Sequence, residues 1–259
     1  MISCLMVTLD RLALAKQAIH SYAEQSYPHR ELVIVTDGEE PYRHALARYI
    51  EAMGIPRVRI IYPGTNGLTL GSLRNISLES AHGEIICQWD DDDYSHPERL
   101  GVQHRDMIAH AAGASFFTDH LQYFESERLL SWIDWSADGQ YDGISRLAPG
   151  TLMMYGDVRF RYPESGPDAR HGEDYVFMEK LYAAIPVASL SGVGDLYLYR
   201  YHGRNTFSHE HHLALNASRA CSNVKMLRSA DRLQQALRYY PVSRPCSVVG
   251  REGTVFVLN

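Results

Sequence analysis

No stretch of this 259-residue chain reaches the roughly 18 consecutive apolar residues that a membrane-spanning helix needs. The opening MISCLMVTLDRL lacks a basic leader region and a small-residue cleavage site, so no secretory signal is expected there. Cysteine is scarce. Cys4, Cys87, Cys221 and Cys246 are scattered without a Cys-x-x-Cys pair, which argues against a zinc ribbon and a disulfide framework. Buried thiols in a reduced, cytoplasmic protein are the expectation. Positive charge is in short supply: 25 Lys and Arg stand against 31 Asp and Glu, for a formal net charge of -6. A nucleic-acid backbone is therefore not the expected partner. The 13 histidines would soften that balance at lower pH. There is no Gly-x-Gly-x-x-Gly fingerprint and no Walker loop, and Gly192-Val193-Gly194 is too short to count as either. Internal repeats, low-complexity tracts and long linkers are also missing.

What is there is a rhythm. Ile2–Thr8 is short and apolar, as a buried strand is. Leu12, Ala15, Ile19 and Tyr22 then recur at helical spacing, predicting a helix over 11–25. ELVIVT (31–36) reads as a second strand. A helix over 41–53 follows, with Pro41 in its first turn and Gly54 as its stop. Strands over 57–61 and 84–89 flank a glycine-containing loop (62–71) and a helix over 72–81. A helix over 97–110 completes the series. Strand and helix in alternation with short loops predict βαβ units: an α/β fold with a mostly parallel central sheet flanked by helices. Ligands of such sheets bind beyond the carboxyl ends of the strands. After about residue 113 the pattern changes to short strands (114–118, 121–124, 151–155, 187–190, 196–201), a helix over 174–184, one helical stretch near 217–239 and a last strand over 253–258. The expectation is a single domain, 1–259, with a change of role near residue 112.

The run Asp90–Asp93 ends the fourth predicted strand. Two unit charges about 4 Å apart repel by roughly 4 kcal/mol at an effective dielectric near 20. Four in a row need a counter-charge or a solvated turn. In an extended chain Asp90 and Asp92 would point one way and Asp91 and Asp93 the other. Carboxylate oxygens are hard ligands suited to Mg²⁺ or Mn²⁺. The plainer reading is a solvated acidic turn or the cap of the next helix. An EF-hand loop is excluded, because the glycine at position six and the closing glutamate are missing.

Several segments, taken in order, resemble the family-2 glycosyltransferases of the GT-A (Rossmann-like) fold, over most of the chain. CLMVTLDRLALAKQAIHSYAEQSYPHRELVIVTDG resembles that family's first strand, helix and second strand. GLTLGSLRNISLESAHGEIICQWDDDDYSHPERL resembles its middle signature, with an Arg-Asn helix start and an Asp-x-Asp-type motif. HGEDYVFMEKL resembles its later Glu-Asp motif, and YRYHGRNTF a His-Gly-x-Asn segment of some members. The resemblance implies an inverting glycosyltransferase that uses a nucleotide-diphosphate sugar. The part at about 1–112 would bind the donor, and an elaborated C-terminal half, about 113–259, would bind the acceptor and supply the base.

The resemblance also implies roles. Thr8, Arg11, Asp37, Arg74, Asp90 and Asp91 would line the nucleotide side, with Asp37 on the base and Asp91 near ribose or diphosphate. Asp92 would be the main metal ligand. The register within four identical residues is open by one position, which keeps Asp90 and Asp93 candidates beside it. His202 would be a later metal or diphosphate ligand, and an imidazole there favours Mn²⁺ over Mg²⁺. Asp174 would be the general base and Glu173 a positioning group. A helix N-terminus lowers a carboxyl pKa while desolvation raises it, so sequence fixes no value for Asp174. The implied donor is a UDP-sugar first, and the implied acceptor a glycan or a lipid-linked glycan of polysaccharide biosynthesis. A lipid-linked acceptor would bring the enzyme to the inner membrane surface as a peripheral protein.

Two rivals share these features. A nucleotidyltransferase would have the same sheet and aspartates, but would want a basic glycine-rich loop where TLDRLALA stands. A non-catalytic sugar-nucleotide or metal-binding module would bind without turnover. Trp132, Trp135 and Tyr141 could form an acceptor platform or pack in a core. The SHEHH segment (208–212) does not match His-Glu-x-x-His and reads as a polar helix start.

Overall fold

The computed structural model describes residues 1–136 and 143–259. In chain order the elements are β1 (Ile2–Val7), α1 (Leu12–Ala23), β2 (Arg30–Val35), α2 (Glu40–Met53), β3 (Val58–Ile61), α3 (Leu70–Ser80), β4 (Ile85–Gln88), β5 (Tyr94–Ser95), α4 (Arg99–Ala109), β6 (Ala114–Phe117), β7 (Asp119–Phe124), β8 (Leu129–Asp134), β9 (Met153–Tyr155), α5 (Glu173–Ala184), β10 (Val187–Leu190), β11 (Tyr197–Tyr201), α6 (His209–Arg219), α7 (Asn223–Arg228), α8 (Ala230–Ala236), β12 (Cys246–Gly250) and β13 (Gly253–Leu258). They divide into two compact units. The first comprises Met1–Asp92, Leu100–Phe116 and Pro149–Ala188; the second comprises Asp93–Arg99, Phe117–Ala148 and Ser189–Asn259.

The first unit is built on a seven-stranded sheet of order β10-β6-β9-β4-β1-β2-β3. Strands β1, β2, β3 and β4 run parallel, and β9 runs antiparallel to both β4 and β6, so the sheet is mixed. Near-continuous apolar sequences in β1 and β2 suit central strands covered on both faces. Cys4 is the register partner of both Leu32 and Cys87, and all three are buried. Ala15, Ala18, Ile19 and Tyr22 turn α1 onto this core. Gly54 ends α2 in the left-handed region, at φ 59°, where glycine carries no Cβ penalty. Trp89, the first residue beyond β4, donates its Nε1–H to the carbonyl of Ala18 at 3.0 Å and meets the Tyr22 ring edge-on. That anchor fixes where the aspartate run begins.

The second unit is built on a six-stranded sheet of order β13-β12-β8-β7-β11-β5. Leu121, Leu130, Trp132, Leu198, Cys246 and Val248 form one face of its core, with Met226, Leu233 and Leu237 packed there from the helical tail. Strands β5, β8 and β12 go beyond the strands expected from sequence. The single helical stretch expected near 217–239 is three helices. Ala220 leaves α6 in an extended conformation and bridges to Ile133. Ser222 then caps α7 by accepting from the Lys225 N–H. Two serines, Ser222 and Ser229, interrupt what the apolar periodicity made continuous.

Candidate functional site

The carboxyl ends of three neighbouring parallel strands carry the site of the first unit. Thr8 follows β1, Asp37 follows β2 and Asp90 follows β4. Thr8 shares a 2.6 Å hydrogen bond with the Tyr42 hydroxyl. Asp37 is buried; its Oδ2 accepts the Leu68 N–H at 3.0 Å and so holds the glycine loop. Its Oδ1 is buried without a hydrogen-bond partner. An unmet buried acceptor is costly, and a ligand N–H would satisfy it.

The aspartate run is not extended. Strand β4 stops at Gln88 and the chain turns at Asp91 and Asp92, so the alternation of faces expected for Asp90–Asp93 is not what occurs. Neighbours Asp91 and Asp92 share one partner instead. Arg11 donates from Nη1 to Asp92 Oδ2 at 3.0 Å and from Nη2 to Asp91 Oδ1. Asp90 belongs to a second arginine: Arg74 donates from Nη2 to Asp90 Oδ1 at 3.1 Å and from Nε to Glu173 Oε1 at 2.8 Å. Gln88 adds a bond to Asp90 Oδ2 at 2.9 Å. The chain passes to the second unit after Asp92, and Asp93 is buried there. Its Oδ1 accepts the Arg200 N–H at 3.0 Å and its Oδ2 accepts the Tyr197 hydroxyl. The repulsion within the run is thus met by side chains of the protein itself.

These pairs set the protonation equilibria. Burial, then the charge of Asp92, pushes the Asp91 carboxyl up to about 7 against the pull of Arg11. Burial would lower the Arg74 pKa, yet Asp90 and Glu173 hold the guanidinium charged, well above its ordinary value. Asp174, in the first turn of α5, is pushed up to about 6 by burial and by the neighbouring Glu173 charge; Arg74 and the Tyr175 N–H, which donates to it at 2.8 Å, pull the other way. A carboxylate of this kind accepts a proton near neutral pH.

Contacts made by the returning chain explain how Glu173 and Asp174 reach this position, 99 residues after Arg74 in the case of Glu173. The chain returns to the first unit at Pro149. Asn75 grips the returning segment. Its Oδ1 accepts the Tyr162 N–H at 2.8 Å, and its Nδ2 donates to the Tyr162 carbonyl at 3.0 Å and to Glu164 at 2.7 Å. A Cβ on Gly71 would lie 1.8 Å from the Pro163 carbonyl oxygen, so only glycine permits this approach. Tyr162 then stacks on Phe177 of α5 at 4.0 Å between ring centroids. Asn75, Gln88, Tyr42 and Tyr162 are site-building residues to which the sequence reading assigned no role, Asn75 entering it only as part of the Arg-Asn helix start. The signal for two of them was adjacency: Asn75 follows Arg74, and Gln88 stands two places before the aspartates.

The second unit holds the remaining candidates. His202 follows β11; its N–H donates to Asn205 Oδ1 at 2.9 Å and its Nδ1 accepts the Arg204 N–H at 3.2 Å. Trp132 is buried and donates to Asp119 at 2.8 Å, as a core residue does. Trp135 donates to His120 Nδ1 at 3.0 Å and lies under the Arg219 guanidinium. Tyr141 lies outside the described residues. In the SHEHH segment Ser208 caps α6, and His212 is buried between Gln122 and Tyr199, which fits a polar helix start. All four cysteines are buried and none forms a disulfide. Among the described residues no group of three His, Cys, Asp or Glu side chains forms a set that could hold a metal ion, and no helix is long and apolar enough to cross a membrane.

Comparisons with known proteins bear on the family and the fold. The family model described as Glycosyl transferase family 2 matches residues 3–162. The chain is 34% identical over 114 residues to WcaA of Escherichia coli (strain K12), named as a glycosyl transferase of colanic acid biosynthesis; the match covers 43% of this chain and 40% of WcaA. Its fold is similar to that of S. aureus TarS 1-349, with a TM-score of 0.62 and 19% identity, over 77% of this chain and 60% of TarS 1-349. TarS 1-349 has also been solved with UDP-GlcNAc. A mannosyltransferase from Pyrobaculum calidifontis, solved with GDP-Man and Mn²⁺, is similar at a TM-score of 0.56 and 14% identity, over 94% of this chain and 70% of that one. These structural likenesses identify the fold as GT-A. The chain spans less than two thirds of the length of WcaA and of TarS 1-349.

Proposed function

The chain belongs to glycosyl transferase family 2, and from that premise we propose that it moves a sugar from a nucleotide-diphosphate donor to an acceptor hydroxyl with inversion at the anomeric carbon. The observation that carries the reading is the double grip of Arg74 on Asp90 and Glu173. It ties the end of β4, on the donor side, to the first turn of α5, where Asp174 stands.

Asp37 Oδ1 accepts an N–H of the nucleobase. Thr8 and Arg11 line the same pocket, Arg74 approaches the nucleotide from α3, and Asp91 faces ribose or diphosphate. A divalent cation, Mn²⁺ or Mg²⁺, would be held by the hard oxygens of Asp92 beside Asp91, with the diphosphate itself completing the set; when bound it would neutralise charge on the departing diphosphate. Asp92 is preferred over Asp93, because both oxygens of Asp93 are already engaged by Tyr197 and Arg200. Asp174 takes the proton of the acceptor hydroxyl as that oxygen attacks the anomeric carbon, and Glu173, held by Arg74, fixes the helix that presents it. Most of the rate gain comes from holding base, acceptor and donor in line.

A UDP-sugar is the first donor to try, supported by the likeness to TarS, with GDP-mannose second, supported by the mannosyltransferase. The likeness to WcaA supports a glycan or lipid-linked acceptor of polysaccharide biosynthesis, handled in the cytoplasm or at the inner face of the membrane. The test is a thermal-shift matrix crossing UDP, GDP, dTDP and CMP with Mn²⁺, Mg²⁺ and EDTA, on wild type and Asp92→Asn. A ligand at about 100 times its Kd adds roughly 2.7 kcal/mol to stability. Stabilisation by one nucleoside diphosphate, needing metal and lost in Asp92→Asn, is expected. A flat matrix would reject the donor-site reading.

A further inference from the structure

We propose that Arg11 is a displaceable counter-cation, which occupies the carboxylates of Asp91 and Asp92 until a divalent cation displaces it and a phosphate-bearing ligand takes up its released guanidinium. The inference rests on the donor-site reading above and deepens it.

The two arginines that neutralise the aspartate run are not alike. The Arg74 side chain is 11% exposed, held between Asp90 and Glu173, and lies over the Tyr162 ring at 5.7 Å. Moving it would strand Glu173, whose side chain is 4% exposed. The Arg11 side chain is 34% exposed, and one of its two partners, Asp92, is itself open to water at 16%. Its departure leaves Asp92 able to be solvated, whereas Asp91, 2% exposed, can give up Arg11 only to another cation. Arg11 stands at the N-cap position of α1, but its side chain makes no capping bond, so the helix does not depend on it. One arginine is built in, and the other is free to move.

A cation bridging Asp91 and Asp92 would compete with Arg11 for Asp91 Oδ1 and Asp92 Oδ2, the oxygens it now holds. Two positive groups on one pair of neighbouring carboxylates repel. Arg11 must therefore swing away as the metal arrives, and it leaves with an unsatisfied planar fork of donors. Phosphate oxygens are the natural recipient of that fork. The metal alone must compete with Arg11, and a diphosphate alone must draw Arg11 off its aspartates. Each ligand removes a cost that the other would face, so their affinities rise together and by the same factor. This makes the site selective for metal plus diphosphate over either alone.

The experiment is a Mn²⁺ titration of the full chain at pH 8 without nucleotide, followed by the electron paramagnetic resonance signal of free Mn²⁺. Wild type, Arg11→Gln, Arg11→Lys and Asp92→Asn are compared, with thermal denaturation in EDTA as the check of folding. Arg11→Gln is expected to bind Mn²⁺ at least about tenfold more tightly than wild type, a change of about 1.4 kcal/mol or more. Arg11→Lys, which keeps the charge, is expected to stay near wild type. A second measurement needs no folded Gln variant: in wild type, the ¹⁵N resonance of the Arg11 Nε should shift on addition of Mg²⁺ while that of Arg74 stays. Unchanged or weaker Mn²⁺ affinity in Arg11→Gln, with binding lost in Asp92→Asn, overturns the inference and leaves the donor site standing. An unmoved Arg11 resonance at saturating Mg²⁺ overturns it equally. No Asp92-dependent Mn²⁺ binding in any variant overturns both.

Discussion

Arg74 Nε lies 2.8 Å from Glu173 Oε1, and this one contact joins residues 99 positions apart in the chain. The guanidinium spends its other face on Asp90. Among the described residues Arg74 is the cation that forms an ion pair with both carboxylates, so the charge balance of the site depends on it.

Arg74→Ala should therefore cost far more than a surface substitution. Removing one member of a buried ion pair typically destabilises by about 3–5 kcal/mol, because the other member is left charged and desolvated. Urea denaturation is the measurement. Arg74→Lys keeps the charge and loses the fork, and its loss should fall between wild type and alanine. A loss below about 1 kcal/mol for alanine would mean that water replaces the guanidinium and that the tie does not hold the site.

Asp174→Asn separates binding from chemistry. An amide cannot take the acceptor proton, and a positioned general base is worth roughly 10²–10⁴-fold in rate. Donor affinity, measured by calorimetry, should hardly change, while transfer falls by that factor. Equal loss of both would make Asp174 a donor-binding residue instead.

The same residue predicts a pH limb. With the Asp174 carboxyl near 6, the basic form disappears as pH falls through that value. The rate at low substrate should drop about tenfold per pH unit below it. Donor affinity followed over the same range reports separately on Asp91, whose carboxyl lies near 7. A limb near 4 would show that water reaches Asp174 and undoes its desolvation.

Asp37→Asn probes the nucleobase contact. The amide oxygen can still accept the Leu68 N–H, so the glycine loop should hold. The amide nitrogen would then sit where Oδ1 is now without a partner, and would face a nucleobase donor with another donor. Nucleotide binding should weaken by about 1–3 kcal/mol, the usual cost of an unmet buried polar group. Unchanged affinity in calorimetry would remove Asp37 from the pocket.

Much of the first unit was legible in sequence because its signals are local. The apolar runs of β1 and β2, the Pro41 start and Gly54 stop of α2, and the aspartates at the end of β4 each follow from neighbours in the chain. The pairing of Asp91 with Asp92 on Arg11 was not legible. It requires the turn after Gln88, and four identical residues carry no register. The grip of Asn75 on Tyr162 was likewise hidden, since it joins residues 87 apart. The second sheet was hardest to read. Strands β8 and β12 pair in parallel although Asp134, the end of one, and Cys246, the start of the other, lie 112 positions apart, and no short-range pattern announces such a partner.

His120 predicts an acid weakness in the second unit. Burial, then the nearby His212, lowers its pKa to about 3, and burial first lowers that of His212 to about 4. The neutral His120 ring accepts the Trp135 Nε1–H, a bond that protonation of Nδ1 would destroy. In the unfolded chain a histidine titrates near 6.5. Between those values the unfolded state binds protons that the folded state refuses, so stability is full above about pH 6.5 and is lost progressively as pH falls toward the folded values. Urea denaturation at pH 7.5 and pH 5 should show this loss, and it should be smaller in His120→Gln, whose side-chain oxygen can still accept from Trp135. An identical loss in wild type and variant would mean that His120 is already protonated in the fold at pH 5, and that its ring is turned away from Trp135.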